Sequence, residues 1–479
     1  MDIFVRYYYL PLNQILMTTK FLTRYYWMLI LMPLFFVTSC KKDIDEANVE
    51  FKNASEYNSD VPFEWNELLI EIDRYSPNYR PPAAARMMGY IGLAVYESVV
   101  PGMPEYKSLK SEFGGLNLPT IEEGKEYHWP AAANAAYAEM FRNFYPHIKA
   151  EDLFKIERLE KKFFDKFSSE VSNDIINRSK FFGVEVAEAV FAYSATDLHG
   201  HEAFKNPRPS SYIPPKTGPK GEKLWQPTWP DYSPALHPYW GKVRTFAMKE
   251  SDLRAKPPLE YSEDKNSKFY QQALETRIWV DNLSYEDKWI AEFWSDDFYG
   301  VTFEPAARQI AIANQIVAQD KISLAKSVEL YAKLGMAMSD AAVAIWNSKY
   351  IYNVRRPIEY IRDNMDQNWK TVLNHPFTNV KGLTPEFPAY PSGHSGFGGS
   401  ASLILTDIFG NNRSFTDNCH KSRFEFIGVP RTFSSFIEAG VENAYSRLPL
   451  GVHYRMDCDE GLRLGYLAAS RVVQKPWKK

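Results

Sequence analysis

Three short segments of this chain carry residue types that together could hold an anion and move a proton. The first is Lys349-x6-Arg356-Pro357, two cations spaced by two helical turns and therefore on nearly one face of a helix that continues to the proline. Pro357 then predicts a break just after that face. A solvated Lys and Arg at a helix end would need no ligand, so this pair acquires meaning only from what joins it. The second is Pro391-Ser392-Gly393-His394, which opens an apolar helical run. It sets a hydroxyl, a glycine amide and an imidazole at a helix N-terminus, where unsatisfied N–H groups and the helix dipole favour an anion. A plain N-cap would explain Ser392 and leave His394 without a use. The third is Ser446-Arg447-x3-Gly451-x-His453-x3-Asp457. His453 and Asp457 are four apart, so on a helix the carboxylate orients one ring nitrogen and leaves the other as a directed ligand or nucleophile. A surface His–Asp pair would have no use for Arg447.

If these segments converge in a helical interior, Lys349, Arg356 and Arg447 cannot stand unpaired, because each desolvated charge costs several kcal/mol. A tetrahedral oxyanion is the natural counterion, with the arginines as forked donors and Ser392 and the Gly393 amide as neutral ones. The chemistry is that of phosphate or a phosphate analogue.

The elements that must position these residues read as helix almost throughout, since apolar residues recur at three and four and strand-like alternation is scarce. Helices are expected over 64–74, 82–100, 130–144, 150–167, 173–196, 265–282, 285–296, 305–319, 323–349, 394–408, 434–446 and 453–473, and the fold class is all-α. The stretch 199–262, rich in Pro, Trp and Tyr, is expected to be a covering loop. Within it His199-Gly-His201 could be a metal pair, but no further ligands follow at a recognisable spacing, and a covering role is the simpler reading.

The pattern K-x6-RP, PSGH and SR-x3-GxHxxxD, in that order over residues 349–457, resembles the signature of the vanadium haloperoxidase and type 2 phosphatidic acid phosphatase superfamily. Over roughly 285–475 the surroundings are similar to the haloperoxidase branch: Phe-Pro-Ala-Tyr runs into Pro391, and the segment around Asp296 and Asp297 looks like the one whose Asp partners the acid–base histidine. The resemblance implies helical bundles of the haloperoxidase and acid phosphatase type, with His453 as the apical vanadate ligand. Lys349, Arg356, Ser392, Gly393 and Arg447 would hold the equatorial oxygens, with His394 as acid–base, and Trp346 and Phe387 would lie on the halide side or simply pack the core. The implied activity is oxidation of halide by hydrogen peroxide, passed to an organic acceptor. In the phosphatase branch, with no vanadate, His453 would attack phosphorus and His394 would protonate the leaving group. The chain lacks the several membrane-spanning helices of lipid phosphatases and is much longer than small acid phosphatases, which favours the haloperoxidase reading. A passive anion-binding lipoprotein is the third alternative, but it would not need both histidines.

With 56 basic and 59 acidic side chains the formal charge is −3, so no global field argues for nucleic acid. Near the start, Lys20 and Arg24 precede the apolar run Tyr25–Val37 and then Val-Thr-Ser-Cys40. This resembles a bacterial lipoprotein signal: the run is shorter than the roughly 20 residues a bilayer core requires. The expected organisation is a signal over 1–39 with Met17 as a possible true start, lipidation at Cys40, a polar tether over 40–57, a helical region over 58–284 and a catalytic bundle over 285–475. The protein would then be exported and held at a bacterial membrane by its lipid. Cys419 and Cys458 could pair in that oxidising compartment or remain separate thiols, and spacing alone leaves both open.

Overall fold

The computed structural model describes residues 51–479, and these pack as one compact unit. The expected signal, Cys40 and most of the tether lie outside the described residues. The body begins within the expected tether: Ala54 is fully buried, and the Tyr57 carbonyl accepts the Leu324 N–H at 2.9 Å.

Helices dominate, in the order α1 (Asp60–Asp73), α2 (Ala83–Val99), α3 (Trp129–Phe144), α4 (Ala150–Ser168), α5 (Asn173–Ala195), α6 (Lys268–Asp281), α7 (Tyr285–Phe293), α8 (Pro305–Asp320), α9 (Leu324–Tyr352), α10 (Pro357–Asn364), α11 (Gly393–Phe409), α12 (Phe436–Tyr445), α13 (Arg447–Leu450) and α14 (Arg455–Val473). Their starts follow from local chemistry. Ser172, Ser267, Ser284, Ser323, Ser392 and Ser435 each accept a first-turn backbone N–H, which satisfies an otherwise orphaned donor. The described strands are a small antiparallel pair, β1 (Phe415–Asp417) and β2 (Arg431–Phe433), with Phe415 opposite Phe433.

The core is organised around α9, buried along nearly its whole length, with α2, α11 and α14 packed against it. The α2–α9 crossing is close because both helices present glycine there. A Cβ on Gly92 would sit 2.8 Å from the Ala332 Cα, and one on Gly335 2.6 Å from the Met88 carbonyl. Residues on both sides of the expected 284/285 boundary therefore share one hydrophobic core. The arm over 199–262 contains short 3₁₀ turns and an isolated β-bridge between Thr217 and Lys223. It is tied to α9 and to the loop before α11: Trp225 N–H donates to the Asn353 carbonyl at 2.8 Å, Tyr350 OH to the Leu236 carbonyl at 2.6 Å, and Leu236 N–H to the Glu386 carbonyl at 2.9 Å.

One local expectation differs from what is found, and one question left open by the spacing is decided. Lys349 and Arg356 do not share a helical face: α9 ends at Tyr352, Asn353 takes the left-handed conformation (φ 47°), and Arg356 is the extended residue before Pro357 at the start of α10. A proline disfavours the helical region for the residue before it, which sends Arg356 into the site from a second element. Cys419 and Cys458 are both free thiols, the first beside Gln315 of α8 and the second buried on α14.

Candidate active site

Trp346 of α9, Gly393, His394 and Phe397 of α11, His453 just before α14 and Asp296 and Asp297 after α7 line one cavity of about 240 Å³, with the buried cations behind them. Lys349, Arg356, Ser392, Arg447, His453 and Asp457 are essentially fully buried, and His394 nearly so.

The cations are aimed by backbone carbonyls, which have no charge of their own to neutralise them. Lys349 Nζ donates to the Pro388 and Ala389 carbonyls at 2.8 and 3.0 Å. Arg356 donates from Nε to the Phe387 carbonyl at 2.8 Å and from Nη1 to the Val452 carbonyl at 2.8 Å. Phe387 lies under both, with its ring centroid 4.8 Å from Lys349 Nζ and 5.0 Å from Arg356 Cζ, and Trp346 packs against it at 4.9 Å. Arg447 is the cation with a carboxylate partner: its Nη2 lies 2.9 Å from Asp297 Oδ2. Burial, then repulsion by Arg356, lowers the proton affinity of Lys349 far below that of a free lysine. Burial likewise brings Arg356 down to about 10.

The two histidines sit in different surroundings. His453 Nδ1 is 2.9 Å from Asp457 Oδ2, and the same oxygen accepts the Tyr454 N–H at 3.0 Å. His453 precedes α14, so the pair meets through the helix cap rather than along a helical face. Arg356 Nη1 lies 3.1 Å from His453 Nε2. Because a guanidinium can only donate, Nε2 must carry the lone pair and Nδ1 the proton. Burial and the neighbouring cations hold His453 neutral, with its proton affinity well below the ordinary histidine value. His394, at the start of α11, has an Nε2 with no partner, 4.0 Å from Asp297 Oδ2. Burial, then Arg447, brings it down to about 3 against the pull of Asp297. Burial opposes ionisation of Asp297, but Arg447 and His394 outweigh it and keep the carboxyl below its usual range.

Most of the residues expected from sequence therefore meet. Ser392 caps α11 through Ser395 N–H, and its own N–H donates to the Asp457 carbonyl at 2.9 Å, stitching α11 to α14. Gly393 lines the cavity opposite the Trp346 ring. Asp296 and Asp297 part company: Asp297 faces Arg447 and His394, whereas the Asp296 carboxyl lies 3.7 Å from both Arg308 Nη1 and His420 Nε2, in a separate buried cluster. His201 packs against Phe191 and lies 3.4 Å from Ser194 Oγ, and among the described residues no group of acidic, His and Cys side chains has the geometry of a metal site. Three features had no signal in the sequence: the aiming carbonyls of 387–389, the Trp294 carbonyl 3.3 Å from Arg447 Nη1, and the cavity wall supplied by Arg80, Arg208 and Leu236, far from any motif.

Residues 329–478 match the family model described as the second helical-bundle domain of VCPO. The vanadium chloroperoxidase of Curvularia inaequalis is 23% identical over 84% of this chain and 80% of its own length. The vanadium-dependent bromoperoxidase of Ascophyllum nodosum is 31% identical over 19% of the chain and 18% of its own length. Among solved structures, a bacterial vanadium-dependent iodoperoxidase superposes with TM-score 0.74 at 29% identity, covering 87% of this chain and 96% of that one. A bacterial vanadium-dependent chloroperoxidase shares the fold with TM-score 0.62 at 15% identity, over 87% and 97% of the two chains.

Proposed function

The chain belongs to the vanadium haloperoxidase superfamily, and we propose that it oxidises halide with hydrogen peroxide at a vanadate held in the cavity just described. The observation that carries this is the set of buried donors left without partners. Arg356 Nη2, Arg447 Nε and His394 Nε2 are all inaccessible and unsatisfied, and Arg356 also reaches the lone pair of His453 Nε2 at 3.1 Å through Nη1. Unpaired buried donors are costly, and a multiply charged tetrahedral anion satisfies them together. The residues thus fit vanadate.

Lys349, Arg356, Arg447, Ser392 and the Gly393 amide would hold its oxygens, and His453 Nε2 would bind vanadium. When bound, vanadate acts as the Lewis acid that activates hydrogen peroxide for attack by halide. The protein's own part is electrostatic and protonic. The cations stabilise negative charge in a site that needs no reorganisation, and Asp457 keeps the His453 lone pair directed inward. Making hypohalous acid and water from halide and peroxide consumes one proton, and His394 Nε2, beside Asp297, is placed to deliver it. Arg208, Asp231 and Leu236 of the arm and the 384–387 loop wall the chamber.

Purified protein incubated with orthovanadate, peroxide and iodide or bromide should halogenate a phenolic reporter, and chelating or omitting vanadate should stop it. Phosphomonoester hydrolysis without vanadate, in the absence of any vanadate-dependent halogenation, would reverse the assignment. Export and lipidation at Cys40 are part of the same proposal and are supported by the signal-like sequence before it. Labelled fatty acid should enter the wild-type chain and fail to enter Cys40→Ser.

A further inference from the structure

If vanadate occupies the cradle, the halide needs a place of its own in the same chamber, and the aromatic wall does not offer one. The single N–H of Trp346 is directed to the Leu236 carbonyl at 3.3 Å. Phe387 has no donor, and its ring is packed against Lys349 and Arg356. Arg208, at the mouth, is paired with Glu386 and partly exposed.

One lining cation remains. Arg80, on the connection between α1 and α2, donates from Nη2 to the Phe303 carbonyl at 2.7 Å and approaches the Asp296 carbonyl at 3.3 Å, so the guanidinium is anchored. Its Nη1 is buried and has no partner. Among the described residues no carboxylate lies within 4.0 Å of it. It lines the same cavity as His394, and its positive charge contributes to the low proton affinity of that imidazole. Anchored through Nη2 and unpaired at Nη1, this guanidinium brings a positive charge to a chamber also walled by Leu236, Phe397 and Trp346, which suits a small, easily desolvated monoanion.

From this geometry we propose that Arg80 is the halide-binding residue, holding a halide anion in the cavity beside His394. The proposal rests on the haloperoxidase reading. A competing role is structural: Arg80 also acts electrostatically on the buried Asp73 and Glu304 carboxyls, both pushed up by burial, Asp73 to about 7. The two roles predict different kinetics, since a counterion would govern stability and turnover, while a halide site governs halide affinity alone.

The test compares wild type, Arg80→Gln and Arg80→Lys in steady-state kinetics with iodide and bromide. Vanadate affinity is measured separately by equilibrium dialysis, and bromide is located by anomalous diffraction in wild-type crystals. The expected result is a halide KM raised about 10- to 100-fold in Arg80→Gln, the range for losing a charged hydrogen bond. The maximal rate, peroxide KM and vanadate affinity should stay within about threefold, and Arg80→Lys should recover most of the halide affinity. Bromide should lie in contact with the Arg80 guanidinium. An unchanged halide KM, a fall in vanadate affinity of the same size, a loss of rate and stability at constant halide KM, or bromide density elsewhere would each overturn the proposal. If wild type binds bromide at Arg80 yet oxidises no halide, the haloperoxidase reading fails and the anion site stands. If wild type is active and both variants match it, only the assignment of Arg80 fails.

Discussion

At the scale of single residues the proposed function assigns binding and proton transfer to different histidines. His453 presents a lone pair fixed by Asp457, so His453→Ala should abolish both vanadate binding and halogenation. His394 makes no hydrogen bond through Nε2, so His394→Ala should keep most of the oxyanion affinity and lose about 10²- to 10⁴-fold in rate. Dialysis with vanadate alongside kinetics checks both, and equal loss of binding in the two variants would refute the division. The pH dependence of stability follows from the same imidazole. Its folded-state value of about 3 lies below the ordinary 6.5, so between these the unfolded chain binds a proton that the folded one refuses. Its contribution is therefore fully present above about pH 6.5 and is lost as pH falls towards 3. In anion-free protein, the urea-unfolding free energy of wild type relative to His394→Asn should decline from pH 7 to pH 4. A flat difference would mean that folding leaves the proton affinity of this imidazole unchanged.

At the scale of elements, the site depends on how closely α11 and α14 approach. A Cβ on Gly461 would lie 2.4 Å from the Ser392 carbonyl, and one on Gly465 2.4 Å from the Gly396 carbonyl, so backbone meets backbone where no side chain can yield. Gly461→Ala should force the N-terminus of α11, with Ser392 and His394, away from His453 and Asp457. Overpacking of this kind costs about 1–3 kcal/mol. The distinguishing outcome is a fall in vanadate affinity larger than the same variant's loss of stability by urea unfolding would account for. A variant with normal vanadate affinity would show that the site tolerates the shift.

For the whole molecule, the arm supplies one wall of the chamber, through Arg208, Asp231 and Leu236. Trp225 anchors it through its fully buried side chain, whose indole N–H has no partner; its backbone N–H on the Asn353 carbonyl just past α9 is a bond that alanine would keep. Trp225→Ala should cost about 3–5 kcal/mol and release the arm from the mouth. Limited proteolysis should then cut between 206 and 238 in the variant under conditions that leave wild type intact, and added vanadate should restore less protection than in wild type. Equal resistance in the two proteins would place the anchor elsewhere.

The sequence by itself determined what is local. Helical periodicity placed nearly every long helix within a few residues, because it depends on neighbours three or four positions away. The spacing of cations, hydroxyl and imidazoles stated the chemistry. Tertiary structure decided what is distant. Arg356 reaches the cavity across a helix break, only one of two adjacent aspartates faces His394, and the Trp346 N–H is occupied by a carbonyl more than 100 positions away. Arg80 enters from the other end of the chain. No periodicity encodes such meetings: they arise when helices pack around α9, and burial then determines which charges lack a partner and must find one in a ligand.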